Sequence, residues 1–525
     1  MLMFGWQGET EHDNLSVSAH AETLVDDFRV GGIILLGRNV KTPEQVAATL
    51  NEMQARSALP LFIAADQEGG LITRFKHPFT VFPGNMALGA TRSAQYCRDA
   101  AMVTAREIAA VGVNVNFAPS LDVNINPLNP IIGVRSYGES PELVTELGVA
   151  AVEGYQSAGV LACAKHFPGH GDTSVDTHLA LPVIRYDRDR LNAVELRPFG
   201  AAVDGGVALV MTTHIAFAAL DGDLPATLSE PIITRLLRQE MGYDGLVITD
   251  CLEMKAIADN YGTADAAVLA VNAGVDILLA CHTLEVQAEL REALIRAVET
   301  GVISEQRIDK SVERILAFKR KYELESRRTV DLDTMNALIG TENNRQLERD
   351  IAASAVTLVR DEDSILPLRV QSGDQILVAG MHPATEQFAA AIRRHHANTR
   401  HLRISTQPTD EEVSEIRALI KQSAITLLTT FPTEPWTHGL VNEEEQAHLV
   451  NRVLLNGAPA IVVAAREPYN LRHFPGVRTC LATYGYPNVT TEAVADLIFG
   501  KIGPAGRLPV TIPGCADYGS GLQGF

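Results

Sequence analysis

Eight short apolar runs recur through the first 280 residues, at 1–6, 31–36, 61–66, 113–123, 160–166, 208–215, 245–250 and 275–280, most of them ending in, or followed by, glycine or a polar group. Apolar runs of this length between breakers are strands. The text between them has helical period and recognisable starts. In Thr42-Pro43-Glu44-Gln45, Thr42 suits the N-cap, Pro43 the first helical position, and Gln45 the reciprocal partner of a capping box. Ser140-Pro141-Glu142 repeats the signal, and Ala158-Gly159 closes that helix. Near-continuous apolar strands alternating with amphipathic helices imply a parallel sheet covered by helices, and eight such units imply a (β/α)8 barrel of the TIM type.

The chain has 525 residues, more than one ordinary core holds. Charged text from Lys319 to Arg328 reads as a helix end passing into an exposed linker. The expected division is a catalytic barrel over 1–322, a linker over 323–344 and a smaller α/β sandwich over 345–525. Strands are expected there at Thr357–Arg360, Gln375–Ala379, Ala424–Thr430, Ala460–Ala465 and Thr479–Tyr484.

A content of 46% hydrophobic and 21% charged residues is that of a globular protein, and no apolar run reaches membrane-spanning length. The net charge of -20 argues against a nucleic-acid partner, since a phosphate backbone would meet a like-charged surface. Six cysteines stand singly, with Cys163, Cys251 and Cys480 inside apolar stretches, so they read as buried thiols in a reducing compartment. The first residues lack the basic and long apolar regions of a secretory signal, and cytoplasmic residence is the expectation.

Barrels of this kind carry their chemistry at the C-terminal ends of the strands, where Asp66, Asp122, Lys165, His166, His214 and Asp250 fall. The densest text runs from Lys165 to His178 and holds Lys165, His166, His170, Asp172, Asp176 and His178. Asp176 and His178 are close enough for the carboxylate to fix the imidazole tautomer and raise its basicity, which suits a general acid/base. The same pair also suits a loop histidine tied down by its neighbour. Asp250 is either a nucleophile or the N-cap of the next helix. Asp66, Arg74 and Arg135 suit sugar hydroxyls, which both donate and accept hydrogen bonds. A competing reading makes His166, His170, Asp172, Asp176 and His178 metal ligands of a metal-dependent hydrolase; the spacings match no helical zinc face, and Lys165 would repel the cation.

Taken together, Ala65 to Gly70, Arg135 to Gly138, Lys165 to His178, Met211 to Ile215 and Ile248 to Met254 resemble glycoside hydrolase family 3, and within it the two-domain form of the NagZ-like β-N-acetylglucosaminidase branch. The resemblance implies Asp250 as nucleophile, His178 with Asp176 as acid/base dyad, and Asp66, Arg74, Arg135, Lys165 and His166 as sugar binders, with His214 at a pocket position. It implies a retaining exo-β-N-acetylglucosaminidase acting on cell-wall (muropeptide) fragments in peptidoglycan recycling, or on chitooligosaccharides. A β-N-acetylglucosaminide phosphorylase using the same residues is the near alternative. The expected partner is an N-acetylglucosamine-containing oligosaccharide, with no metal, cofactor, nucleic acid or membrane, and with a monomer or weak homo-oligomer as the assembly. Tyr137 stands where the family more often has Phe, which adds a hydroxyl near Arg135.

Overall fold

Each of the eight apolar runs forms a strand: β1 (Leu2–Phe4), β2 (Gly32–Leu35), β3 (Phe62–Ala65), β4 (Val115–Asn116), β5 (Leu161–Phe167), β6 (Leu209–Thr212), β7 (Leu246–Cys251) and β8 (Ile277–Ala280). This is a computed structural model, and it describes residues 1–173, 181–433, 441–455 and 459–525. The strands pair in chain order, all parallel, and β8 closes onto β1 with Leu2 opposite Leu278.

Alternation along the strands separates two cores. Met3, Ile34, Phe62, Ala64, Leu161, Cys163, Leu209, Met211, Leu246, Ile248, Ile277 and Leu279 fill the barrel interior. Their neighbours Phe4, Ile33, Leu35, Ile63, Ala65, Ala162, Ala164, Val210, Val247, Leu278 and Ala280 face the helices. Both faces are dry, which is why these strands read as continuous apolar runs rather than as alternating ones.

The helix Pro43–Arg56 begins as expected, with the Thr42 side chain accepting from the Gln45 N–H. The capping box is not completed: Gln45 accepts from the Lys41 N–H at 3.0 Å and donates to the Leu15 carbonyl at 2.7 Å. Ser140 caps Pro141–Ser157, and Gly159 follows at φ +77°. After the helix Glu305–Lys321 the chain is laid along the barrel rather than left free: Arg328 donates to the Ser57 carbonyl at 2.5 Å, and Asn51 exchanges bonds with the Val330 backbone.

The second sheet consists of β9 (Thr357–Asp361), β10 (Ile376–Gly380), β11 (Thr399–Arg403), β12 (Ile425–Thr430), β13 (Ala460–Ala464) and β14 (Thr479–Ala482). Its order is β9-β14-β13-β12-β10-β11, parallel except for the antiparallel pair β9 and β14. Strand β11 escapes a reading based on apolar runs because its text, Thr-Arg-His-Leu-Arg, is polar and it lies at the sheet edge. The two parts are stitched together by hydrogen bonds. Glu139 accepts from Thr511 Oγ1 at 2.6 Å and Asn124 donates to the Tyr469 hydroxyl at 2.8 Å. No helix among the described residues is long and apolar enough to cross a membrane.

At the end of the barrel opposite the polar strand ends, Asp276 is fully buried and accepts from Arg238 Nη2 at 2.5 Å, Ser311 Oγ at 2.6 Å and the Val247 N–H at 3.0 Å. Asp276→Ala leaves the guanidinium of Arg238 without its carboxylate, and is expected to cost about 3–5 kcal/mol. Thermal unfolding monitored by circular dichroism checks this; an unchanged midpoint would mean that Arg238 finds another partner.

Candidate active site

Strand β3 runs into Asp66-Gln67-Glu68, where the two-residue period puts the two carboxylates on one side and Gln67 on the other. Gln67 is used locally, accepting from the Arg74 and Phe75 N–H groups and donating to the Phe75 carbonyl. The carboxylates meet Lys165 from β5, whose Nζ lies 2.9 Å from Asp66 Oδ1 and 2.7 Å from Glu68 Oε1. Arg74 Nη2 reaches Asp66 Oδ2 at 3.2 Å. Arg135 clasps Glu68 with both arms, at 3.1 Å through Nε and 2.8 Å through Nη2.

The cluster is buried, with the Lys165 side chain only 2% exposed. Burial by itself would drive each group toward its neutral form, and the paired charges overcome it. Lys165 and Arg74 hold Asp66 well below the usual carboxylate range, and Arg135 with Lys165 lowers Glu68 to about 2. In return, Asp66 and Glu68 raise Lys165. The whole set is therefore ionised at neutral pH. Glu68 is the group that the sequence reading did not single out, and its two-residue spacing from Asp66 was the available signal.

A second knot surrounds Asp122. One of its oxygens accepts from His166 Nδ1 at 2.7 Å and Ser120 Oγ at 2.9 Å, and the other from the N–H groups of His166 at 3.2 Å and His170 at 2.7 Å. These bonds and the His166 ring hold the buried carboxylate below its ordinary value despite its burial. They also orient His166 so that Nε2 lies 3.4 Å from Arg135 Nη2. Burial pushes His170 down to about 4, and its Nδ1 lies 3.0 Å from Thr173 Oγ1. Gly171 packs so closely that a Cβ would overlap the Val123 carbonyl, and Gly169 adopts φ +143° beside Glu195.

Asp250, on β7, joins these groups in one cavity of about 750 Å³ whose wall includes Asp66, Arg74, Arg135, Lys165, His166 and Asp250. Its Oδ1 accepts from the Cys251 N–H at 2.7 Å. His214 is buried, with Nδ1 2.8 Å from Thr227 Oγ1 and Nε2 3.0 Å from the Cys251 carbonyl, and these contacts tie it to the end of β7. Asp176 and His178 lie outside the described residues. The chain enters that stretch at Thr173, anchored by Asn126 and Asn129, and leaves it at Leu181, next to Pro182, whose carbonyl accepts from the Ala216 N–H.

Of the histidines proposed as metal ligands, His166 bonds Asp122 through Nδ1 and His170 lies against Thr173, while His178 is outside the described residues. Among the described residues, the side chains grouped closely enough to hold an ion are Cys251, Cys281 and His282, in the wall of the same cavity. Cys251, which looked like an inert core thiol, is drawn down by its hydrogen bond with Cys281, while Cys281 is pushed up. A further cleft of about 870 Å³ adjoins, sharing Leu71 and Arg74 and lined on its far side by Tyr486 and Asn488 of the second domain.

Glu68 has a folded-state value of about 2 against the usual 4.5, so its ionised form stabilises the fold above about pH 4.5, and this contribution is lost as pH falls toward 2. Glu68→Gln is expected to cost about 3–5 kcal/mol at neutral pH by leaving Lys165 and Arg135 undercompensated, with a smaller difference from the parent at pH 3. Urea denaturation at both pH values measures it; an equal difference at both would contradict the assigned shift.

The barrel and its cavity have clear relatives. Residues 8–318 match the glycosyl hydrolase family 3 N-terminal domain and residues 356–520 its C-terminal domain. Beta-hexosaminidase A of Pseudoalteromonas piscicida is 34% identical over 93% of this chain and 90% of its own length. A beta-N-acetylglucosaminidase/beta-glucosidase of Cellulomonas fimi is 30% identical, over 93% of this chain and 89% of its own. The solved structure of a glycoside hydrolase family 3 beta-N-acetylglucosaminidase from Paenibacillus sp. str. FPU-7 superposes with a TM-score of 0.89, at 40% identity over 97% of both chains. With both domain types matched in order and a full-length relative above 30% identity, the chain belongs to glycoside hydrolase family 3 and is a two-domain glycoside hydrolase.

Proposed function

We propose that this enzyme is a retaining exo-β-N-acetylglucosaminidase that releases N-acetylglucosamine from muropeptide fragments or chitooligosaccharides. Asp250 attacks the anomeric carbon while His178, steadied by Asp176, protonates the leaving oxygen. His178 then deprotonates a water that hydrolyses the glycosyl-Asp250 ester. Asp66, Arg74, Arg135, Lys165 and His166 bind the sugar hydroxyls. In this reading residues 1–322 are the catalytic barrel, 323–344 the linker and 345–525 the second domain.

The observation that carries the proposal is the cavity itself, which joins one carboxylate on β7 to a fully ionised cluster of donors and acceptors. Such a cluster holds a polyhydroxylated ring without reorganising, so binding energy goes into placing the anomeric carbon at Asp250. The names of the relatives support the sugar. The adjoining cleft, which opens at Arg74, suits the rest of an oligosaccharide. Cytoplasmic residence is supported by the cysteines, all six of which are free thiols. Recycling of cell-wall fragments fits that compartment.

The deciding experiment is incubation with an aryl N-acetyl-β-glucosaminide with and without phosphate, followed by identification of the sugar. Free N-acetylglucosamine in both arms is expected. Sugar 1-phosphate as the main product would make the enzyme a phosphorylase, and turnover abolished by exhaustive chelation would restore the metal-dependent reading. Asp250→Ala is expected to lower kcat on the order of 10⁴-fold or more, because no other group replaces the nucleophile. Near-native turnover in the folded variant would refute that role. Asp176→Ala is expected to lower kcat on the order of 10²- to 10⁴-fold with a small change in KM, since it unsettles the His178 tautomer rather than the sugar contacts. Equal losses in binding and turnover would assign Asp176 to loop structure instead.

A further inference from the structure

The residue after Asp250 belongs to a group that sugar cleavage does not use. Cys251 ends β7, Cys281 directly follows β8, and His282 comes next. The two sulfurs and one ring nitrogen lie within 4.8 Å of one another. Cys251 and Cys281 are 8% and 4% exposed, whereas His282 is open to solvent. All three line the cavity that holds Asp250.

This arrangement is fixed from behind. The Glu253 carboxylate accepts from the N–H groups of Cys281 at 2.6 Å, His282 at 2.7 Å and Thr283 at 2.9 Å, which pins that loop against the end of β7. Arg38 donates to the Cys281 carbonyl at 2.5 Å, and its Nη1 lies 3.2 Å from His282 Nδ1. His214 holds the Cys251 carbonyl from the other side at 3.0 Å. Backbone supports of this kind are what keep ligating side chains in register before an ion arrives.

Two thiols and an imidazole are a soft donor set. It matches zinc and offers little to magnesium or calcium, which require oxygen. We propose that Cys251, Cys281 and His282 form a zinc-binding site in the wall of the catalytic cavity, through which zinc reversibly inhibits the enzyme. On binding, the two thiols release their protons to solvent, and two thiolates and one neutral imidazole ligate the dication. The resulting unit carries no net charge, so it adds no repulsion against Arg38. If the ion takes the Nδ1 lone pair, it replaces the Arg38 contact there. Three protein ligands leave a fourth position of the tetrahedron for a water molecule. The ion then stands beside the carboxylate of the preceding residue, in space that the sugar needs. Zinc binding is independent of the glycosidase reading, whereas inhibition rests on it.

The test uses the reduced full-length protein, stripped of metal by chelation and titrated with Co²⁺ as a spectroscopic substitute. The expected result is a thiolate-to-cobalt absorption band that saturates at one ion per chain and is bleached by Zn²⁺. His282→Ala, an exposed substitution, and Cys281→Ser should each weaken cobalt binding more than about tenfold, the scale of loss reached even when supporting residues around metal ligands are changed. Zinc should inhibit hydrolysis of the aryl glycoside, with recovery on adding a chelator. His282→Ala should require more than about tenfold more zinc for half inhibition, relative to its own metal-free rate. No thiolate band in the parent protein, or equal binding in both variants, would overturn the site. Binding without inhibition would overturn its regulatory role. A protein that binds cobalt as expected but cleaves no aryl glycoside would instead count against the glycosidase assignment.

Discussion

Lys165 is the constraint on which the mouth of the barrel is built. Its ammonium group is nearly sealed from solvent between Asp66 and Glu68, and those carboxylates reach on to Arg74 and Arg135. A charge in such a place is tolerable only when every partner is present, because the penalty for an unpaired buried ion is several kcal/mol. The end of β3, the Gln67 turn that returns Arg74, the loop carrying Arg135 and the end of β5 are therefore placed by a single electrostatic condition. A sugar entering the cavity meets dipoles and charges that are already oriented.

Asp122 does for the following loop what Lys165 does for the strand ends. By accepting from the His166 ring and from the backbone N–H groups of His166 and His170, it sets the direction in which the chain leaves β5, and Gly169 and Gly171 make the close passage past Glu195 and Val123 possible. Cys251 illustrates a different principle. One residue beyond Asp250, it is held by backbone contacts that also serve the strand end, so the proposed zinc ligand is positioned by the same scaffold as the proposed nucleophile.

Much of this could be read from the chain. The barrel strands were legible because burial on both faces leaves long apolar runs, and strand-end polar residues pointed to the cavity because parallel barrels gather them at one end. Strand β11 was not legible, since an edge strand with polar text lacks that signal. Gln45 was only half legible: its position in the helix start was right, but Lys41 and Leu15 compete for its amide. The spacing of Glu68 from Asp66 was a signal, but its partner Arg135, the contacts of Glu253 and the grouping of Cys281 with Cys251 were not legible, because those groups come together from separate segments of the chain.

The sequence by itself determined the eight barrel strands, the two-domain plan and the membership of the family, because these follow from local periodicity and from contiguous motifs. Only the tertiary structure decided which polar groups support one another. It put Lys165 between two carboxylates, tied His214 to Thr227 and the Cys251 backbone, and brought two scattered thiols to a shared imidazole. The reason is physical: a buried charge or donor takes its state from every group within a few ångströms, and barrel closure draws those groups from strands up to hundreds of residues apart.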